Sequence, residues 1–108
     1  MKRGEVWWIN YDPSIEGEIR KKRPAVIISN DASNKYLNRI QVIPLTSNTE
    51  KLYPSESFIN LNGKKGKAMA DQLTTVSKLR VLDKAGELTS EEMVDINKTI
   101  KTQLGINT

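Results

Sequence analysis

Cysteine and histidine are both missing from this 108-residue chain, and the two absences exclude a good deal of chemistry. Without cysteine there are no disulfide staples and no thiolate metal sites, which fits a reducing compartment. Without histidine the commonest general acid–base residue is gone. With it go the histidine-dependent hydrolase triads and most catalytic zinc centres. There is no P-loop, dinucleotide-binding fingerprint or EF-hand; Gly63-Lys64-Lys65-Gly66-Lys67 is too short for a phosphate loop and follows hairpin logic. Carboxylates are present, but none are spaced as a magnesium site, so neither a metal nor a cofactor is expected. No apolar run approaches the roughly 18 residues of a membrane span. Residues 1–5 lack the apolar stretch of a signal peptide, so a cytoplasmic protein is expected.

What is present points first to one domain spanning residues 1–108. Area scaling for a chain of this size buries about two-thirds of the unfolded surface, enough for one core. Lysine and arginine number 17 against 13 acids, a net charge of +4. The excess is clustered. Arg20-Lys21-Lys22-Arg23 is one cationic run, Lys64, Lys65 and Lys67 form a second, and Glu87, Glu91, Glu92 and Asp95 concentrate acid near the C-terminus. Clusters of this kind suit a polyanion, although solvated loops account for them equally well on charge alone.

The stretch around which the rest is organised is Arg23-Pro24-Ala25-Val26-Ile27-Ile28-Ser29. Pro24 fixes its own φ and pushes Arg23 into an extended conformation. The unbroken β-branched run after it reads as a central strand covered on both faces. A second strand, Ile40-Gln41-Val42-Ile43-Pro44-Leu45, delivers Thr46 and Ser47 at its end. If the two strands are neighbours, a guanidinium and two hydroxyls meet at one sheet edge.

Elsewhere, Glu5 to Tyr11 is rich in strand formers and is stopped by Asp12-Pro13. Adjacent Trp7 and Trp8 must point to opposite faces. One belongs to the core; the other lies on a second buried face, at a subunit interface, or where a base can stack. A long polar loop, 14–22, carries Glu16 and Glu18. Asn30 or Asp31 caps a short helical turn to about Leu37. Ser57 to Leu61 alternates as a strand, Asn62-Gly63 signals a type I′ hairpin, and the chain returns through Lys67 to Ala70. Lys78 to Leu82 reads as a weaker last strand. Thr89-Ser90-Glu91-Glu92 is a capping box opening a helix whose apolar stripe is Met93, Ile96, Ile100 and Leu104, ended by Gly105. The fold class is thus mainly β, with one C-terminal amphipathic helix covering a face of the sheet.

The residues also match a family. In order, Arg3-Gly4-Glu5-Val6-Trp7, Asp12-Pro13 followed by Glu18, Arg23-Pro24-Ala25-Val26, Val42-Ile43-Pro44-Leu45-Thr46-Ser47 and Ala70-Asp71-Gln72 resemble the MazF/PemK (Kid-like) toxins of bacterial type II toxin–antitoxin systems. The resemblance spans nearly the whole chain. It implies a homodimer of SH3-like, partly open β-barrels that cut single-stranded RNA, often mRNA, without a metal. The products implied are a 2′,3′-cyclic phosphate and a 5′-hydroxyl, and the partner implied is an acidic antitoxin. The family's principal catalytic residues carry over to Arg23 and Thr46, and its loop glutamate to Glu18. Arg20, Lys21, Lys22, Ser47, Asp71 and Gln72 fall where RNA contacts are expected. Met69 stands where the plasmid-type branch has a second arginine, so the chromosomal-type branch is the model. Ile19-Arg20-Lys21-Lys22 replaces the glycine-rich loop of many relatives. A non-catalytic SH3-like RNA-binding module and a gyrase poison of the CcdB type are the competing readings. The second places a tryptophan near the C-terminus, where this chain ends Leu104-Gly105-Ile106-Asn107-Thr108.

Overall fold

The structure, a computed structural model, describes residues 1–11 and 22–107. In chain order the elements are β1 (Glu5–Asn10), β2 (Lys22–Ile27), helix α1 (Asp31–Tyr36), β3 (Arg39–Thr46), β4 (Glu56–Leu61), β5 (Lys64–Met69), β6 (Thr74–Ser77), β7 (Val81–Glu87) and helix α2 (Ser90–Leu104). Short 3₁₀ turns at Ala70–Gln72 and Lys78–Arg80 precede β6 and β7. The strands form one antiparallel sheet in the order β4-β5-β3-β2-β1-β7, with β6 also paired to β3.

β3 is the pivot. Its first half pairs with β6 (Arg39↔Ser77 through Val42↔Thr74), and its end pairs with β5 (Leu45↔Ala68, Thr46↔Lys67). Between those ladders the register slips by three residues, the length of the Ala70–Gln72 turn. One continuous segment therefore follows β3, kinks, and follows it again. That kink curls the sheet into a half-barrel, and it brings the β4–β5 hairpin round to the end of β3.

Alternation then sorts the side chains. Val6, Val26, Ile43 and Leu45 form one core with Ile59, Ala68 and Ile96 of α2. Ile9, Ala25, Ile27, Ile40, Val42 and Val76 form the other, with Trp7 and Tyr11 packed against it. Ala25, Val26 and Ile27 are all fully buried, as a strand covered on both faces requires. Burial of a side chain such as Val26 or Ile27 is worth about 1.5–3 kcal/mol.

The local signals fold as read. Asn30 caps α1 by accepting from Ser33 N at 2.8 Å. Asn62 (φ 52°) and Gly63 (φ 84°) hold the left-handed pair that the hairpin turn needs. Thr89 and Glu92 close the capping box reciprocally at 3.1 and 2.8 Å, and Gly105 ends α2 in the left-handed region. Two expectations are corrected. Of the stretch 78–82 only Val81 and Leu82 are strand: Lys78–Arg80 is a 3₁₀ turn, the last strand runs on to Glu87, and a further strand, Thr74–Ser77, precedes the turn. The Thr/Val run 74–77 is only four residues long, and its pairing with β3 depends on the Ala70–Gln72 turn before it. In α2, Ile96 is buried and Met93 and Ile100 pack beside it, but Leu104 is exposed and Thr99 is buried instead.

Candidate active site

Pro24 decides where the sheet opens. It has no N–H to donate, and the β2–β3 ladder stops one residue later at Ala25↔Pro44. Continued past that point, the same register sets Arg23 opposite Thr46, on the same face. The strands part there instead. β2 stays with β1 (Trp8↔Pro24, Ile9↔Arg23), while β3 goes on with β5. The gap is a cleft of about 420 Å³, within the usual range for ligand sites.

Arg23, Thr46 and Ser47 line one part of this cleft, and Lys64, Lys65 and Gly66 of the hairpin line another. Its apolar surfaces are Pro24, Leu45, Ile59, Leu61 and Trp8. Among the described residues no carboxylate lines it, although the chain holds 13 acids. Three cationic residues and two hydroxyl residues lining one cleft favour an anionic ligand.

Each polar group is held in a way that bears on its chemistry. The Thr46 hydroxyl oxygen accepts from Asn48 N at 3.2 Å, so its own proton is available to a ligand. Lys65 Nζ sits 4.1 Å from the centroid of the Phe58 ring, a cation–π contact to a residue outside the cleft lining, so it is the Lys65 stem that faces the cleft. Behind Arg23, on the same face as Ile9, the Tyr11 hydroxyl is buried without a hydrogen-bond partner among the described residues. Burial raises its pKa to about 12, against the opposing pull of the Arg23 charge, so it remains a neutral phenol at physiological pH.

Thr46 is also positioned from outside. A β-carbon on Gly66 would lie 2.7 Å from the Thr46 carbonyl oxygen, so only glycine lets the hairpin approach this closely. Lys67, paired with Thr46, does not join Lys64 and Lys65 as an open cation, contrary to the sequence reading. It is buried, donating to Glu56 Oε1 at 2.8 Å and to the Lys51 carbonyl at 2.6 Å. Burial pushes the Glu56 carboxyl up, but hydrogen bonds from Lys67 and Tyr53 N outweigh it and leave the pKa below its ordinary value. The connection 47–55 that follows the site is thereby tied down.

The remaining expected site residues are scattered. Lys22 is exposed at the start of β2. Asp71 and Gln72 lie exposed on the 3₁₀ turn after β5 and do not line the cleft. Glu18, Arg20 and Lys21 lie outside the described residues. Lys64, Lys65 and Trp8 were not singled out as site residues from the sequence. The Asn62-Gly63 signal placed the two lysines beside a turn, but only the curl of the sheet carries that turn to Thr46. Among the described residues no three acidic side chains converge as a metal cluster.

The family model for the PemK-like, MazF-like toxin of type II toxin–antitoxin systems matches residues 2–104. The chain belongs to the PemK/MazF toxin family. It is 31% identical over 115 residues to the endoribonuclease MazF9 of Mycobacterium tuberculosis, covering 98% of each chain. It is 30% identical over 113 residues to the endoribonuclease MazF of Staphylococcus saprophyticus, covering 100% of this chain and 94% of that one. Among solved structures, a mycobacterial endoribonuclease in complex with its cognate antitoxin superposes with a TM-score of 0.84 at 26% identity, covering 100% of this chain and 98% of that one. The half-barrel closed by a C-terminal helix is thus this family's fold. MazF of Deinococcus radiodurans shares that fold at a TM-score of 0.83 and 24% identity, covering 97% and 96%.

Proposed function

We propose that this protein is the toxin of a type II pair, an endoribonuclease that cleaves single-stranded RNA by attack of the substrate's own 2′-hydroxyl. The observation that carries the reading is the shared cleft of Arg23 and Thr46, cationic and free of carboxylates among the described residues. An RNA phosphodiester brings its nucleophile already placed beside the phosphorus. The 2′-oxygen bonds to phosphorus and the P–O5′ bond breaks, leaving a 2′,3′-cyclic phosphate. The proton lost from the 2′-hydroxyl is matched by one gained at the departing 5′-oxygen. Arg23 stabilises the charge that builds on the phosphorane oxygens, and its planar fork suits that task. Thr46, its lone pair engaged by Asn48 N, donates to a phosphate oxygen. Glu18 is the proposed base. Lys22, Ser47 and the 20–21 cations hold the backbone of the RNA, and Asp71 and Gln72 meet it further out.

The same reading makes the chain one functional unit over residues 1–108, cytoplasmic, acting as a homodimer and silenced by an acidic antitoxin. Among the described residues no helix is long and apolar enough to cross a membrane. Incubation of purified protein with a long RNA in excess EDTA tests the proposal. Cleavage leaving cyclic phosphate and 5′-hydroxyl ends is expected. Loss of activity in EDTA, or 5′-phosphate ends, would mean a metal-activated water and a different mechanism. RNA bound but left intact is the outcome for a binding module.

A further inference from the structure

The two adjacent tryptophans have different fates. Trp7 packs against the second core and its Nε1 donates to Glu5 Oε1 at 2.9 Å. Trp8 belongs to neither core, is 40% exposed, and among the described residues nothing accepts from its Nε1. Leaving two-fifths of so large an apolar ring open forgoes part of the burial free energy it could supply. Its cross-strand partner is Pro24, the chain neighbour of Arg23, and where the strands part both Trp8 and Arg23 line the cleft. The neighbouring walls, Leu45, Ile59 and Leu61, are aliphatic and offer no hydrogen bond, while Lys64 and Lys65 stand on the opposite rim.

Resting on the ribonuclease reading above, we infer that Trp8 is a stacking platform for one nucleobase of the substrate, next to the scissile phosphate. A protein partner's apolar side chain fits the charge less well, because the centres of protein interfaces are depleted of lysine. A strand of RNA matches both features, with anionic phosphates for Arg23, Lys64 and Lys65 and a flat base for the indole. Aliphatic walls read planarity and not base edges. This subsite therefore contributes affinity and placement, with little choice between bases.

The test begins by mapping one cleavage position on a long RNA. An oligonucleotide spanning it, with a 2′-deoxy sugar at the scissile step, then serves as a ligand that cannot be cut. In a Trp7→Phe protein, Trp8 is the sole tryptophan and its emission should be quenched on titration. Trp8→Ala should weaken binding about 5- to 150-fold, the range for loss of one base–aromatic stack, and Trp8→Phe should recover most of it. Making the stacked position abasic should cost the wild type a similar factor and cost Trp8→Ala nothing more. Thermal denaturation should show both variants folded, since the ring lies outside the cores.

Trp8→Ala binding and cutting RNA like the wild type would overturn the inference while leaving the ribonuclease reading intact. So would an abasic scan with the same profile in both proteins, or a Trp8→Ala protein whose only change is a halved mass or weaker antitoxin binding. A wild type that neither binds nor cuts RNA overturns both.

Discussion

Arg23 and Thr46 are set at the ends of two rigid strands that stop pairing with each other two residues before they would meet. In the mechanism proposed above, the planar fork of Arg23 matters more than its charge. Arg23→Lys should therefore keep RNA affinity within a few-fold yet lower the single-turnover cleavage rate about 10²–10³-fold, as for loss of one transition-state donor. Turnover near the wild-type rate would reduce Arg23 to an attractor of RNA. Thr46 separates chemistry from folding. Thr46→Val preserves the β-branched shape suited to a strand end, so most cleavage should be lost with the melting temperature almost unchanged. Thr46→Ser keeps the hydroxyl and should keep measurable cleavage. RNA affinity should be similar for both, because phosphate contacts from lysine and arginine dominate it and weaken with salt.

The β4–β5 hairpin is the element that converts two strand ends into a cleft. Its approach depends on Gly66, where a β-carbon would lie 2.7 Å from the Thr46 carbonyl. Gly66→Ala should push the hairpin outward, costing about 1–3 kcal/mol of stability by overpacking and reducing cleavage beyond what the stability loss explains. Urea denaturation alongside kinetics at low temperature separates the two effects. The buried Lys67–Glu56 pair is the hairpin's other anchor, with both side chains less than a tenth exposed. Lys67→Met strands the Glu56 carboxylate in the interior and should cost about 3–5 kcal/mol, whereas replacing both partners by apolar residues should cost much less. A double-mutant cycle read by chemical denaturation measures that difference.

At the scale of the molecule, two properties belong to no single element. A half-barrel leaves apolar surface uncovered, and Leu79, on the turn before β7, is 95% exposed. Light scattering at micromolar concentration should report twice the chain mass. A monomer with full activity would contradict the dimer. Acid stability is set in part where the sheet's β7 edge is tied to the N-terminal strand. Burial raises the Glu5 carboxyl, but hydrogen bonds from Trp7 and Lys2 N, with Lys84 beside it, bring it down to about 2. A depressed carboxyl contributes fully above its ordinary value of 4.5 and loses that contribution as pH falls towards about 2. Glu5→Gln should thus be less stable than the wild type at pH 7. The gap should close between pH 4.5 and 2, as thermal melts across that window would show.

The strands up to the β4–β5 hairpin, its turn, the capped helix and the placing of Arg23 and Thr46 at strand ends were legible in the amino-acid sequence, because each depends on neighbours a few residues away. Pro24 restricts Arg23 directly, Asn62-Gly63 takes positive φ whatever surrounds it, and Thr89 finds Glu92 within one helical turn. The roles proposed for Arg23 and Thr46 rest on the family markers. What the sequence by itself left open were matters of distance along the chain. Lys64 and Lys65 reach Thr46 only because β3 changes partners across the Ala70–Gln72 kink. Lys67, read as one more cation of the same cluster, is buried by that very pairing. Alternation put Trp7 and Trp8 on opposite faces, but which face is filled depends on where the β2–β3 ladder ends and what curls over the gap. Local sequence dictates which way a side chain points; only the closed tertiary path decides what stands in front of it.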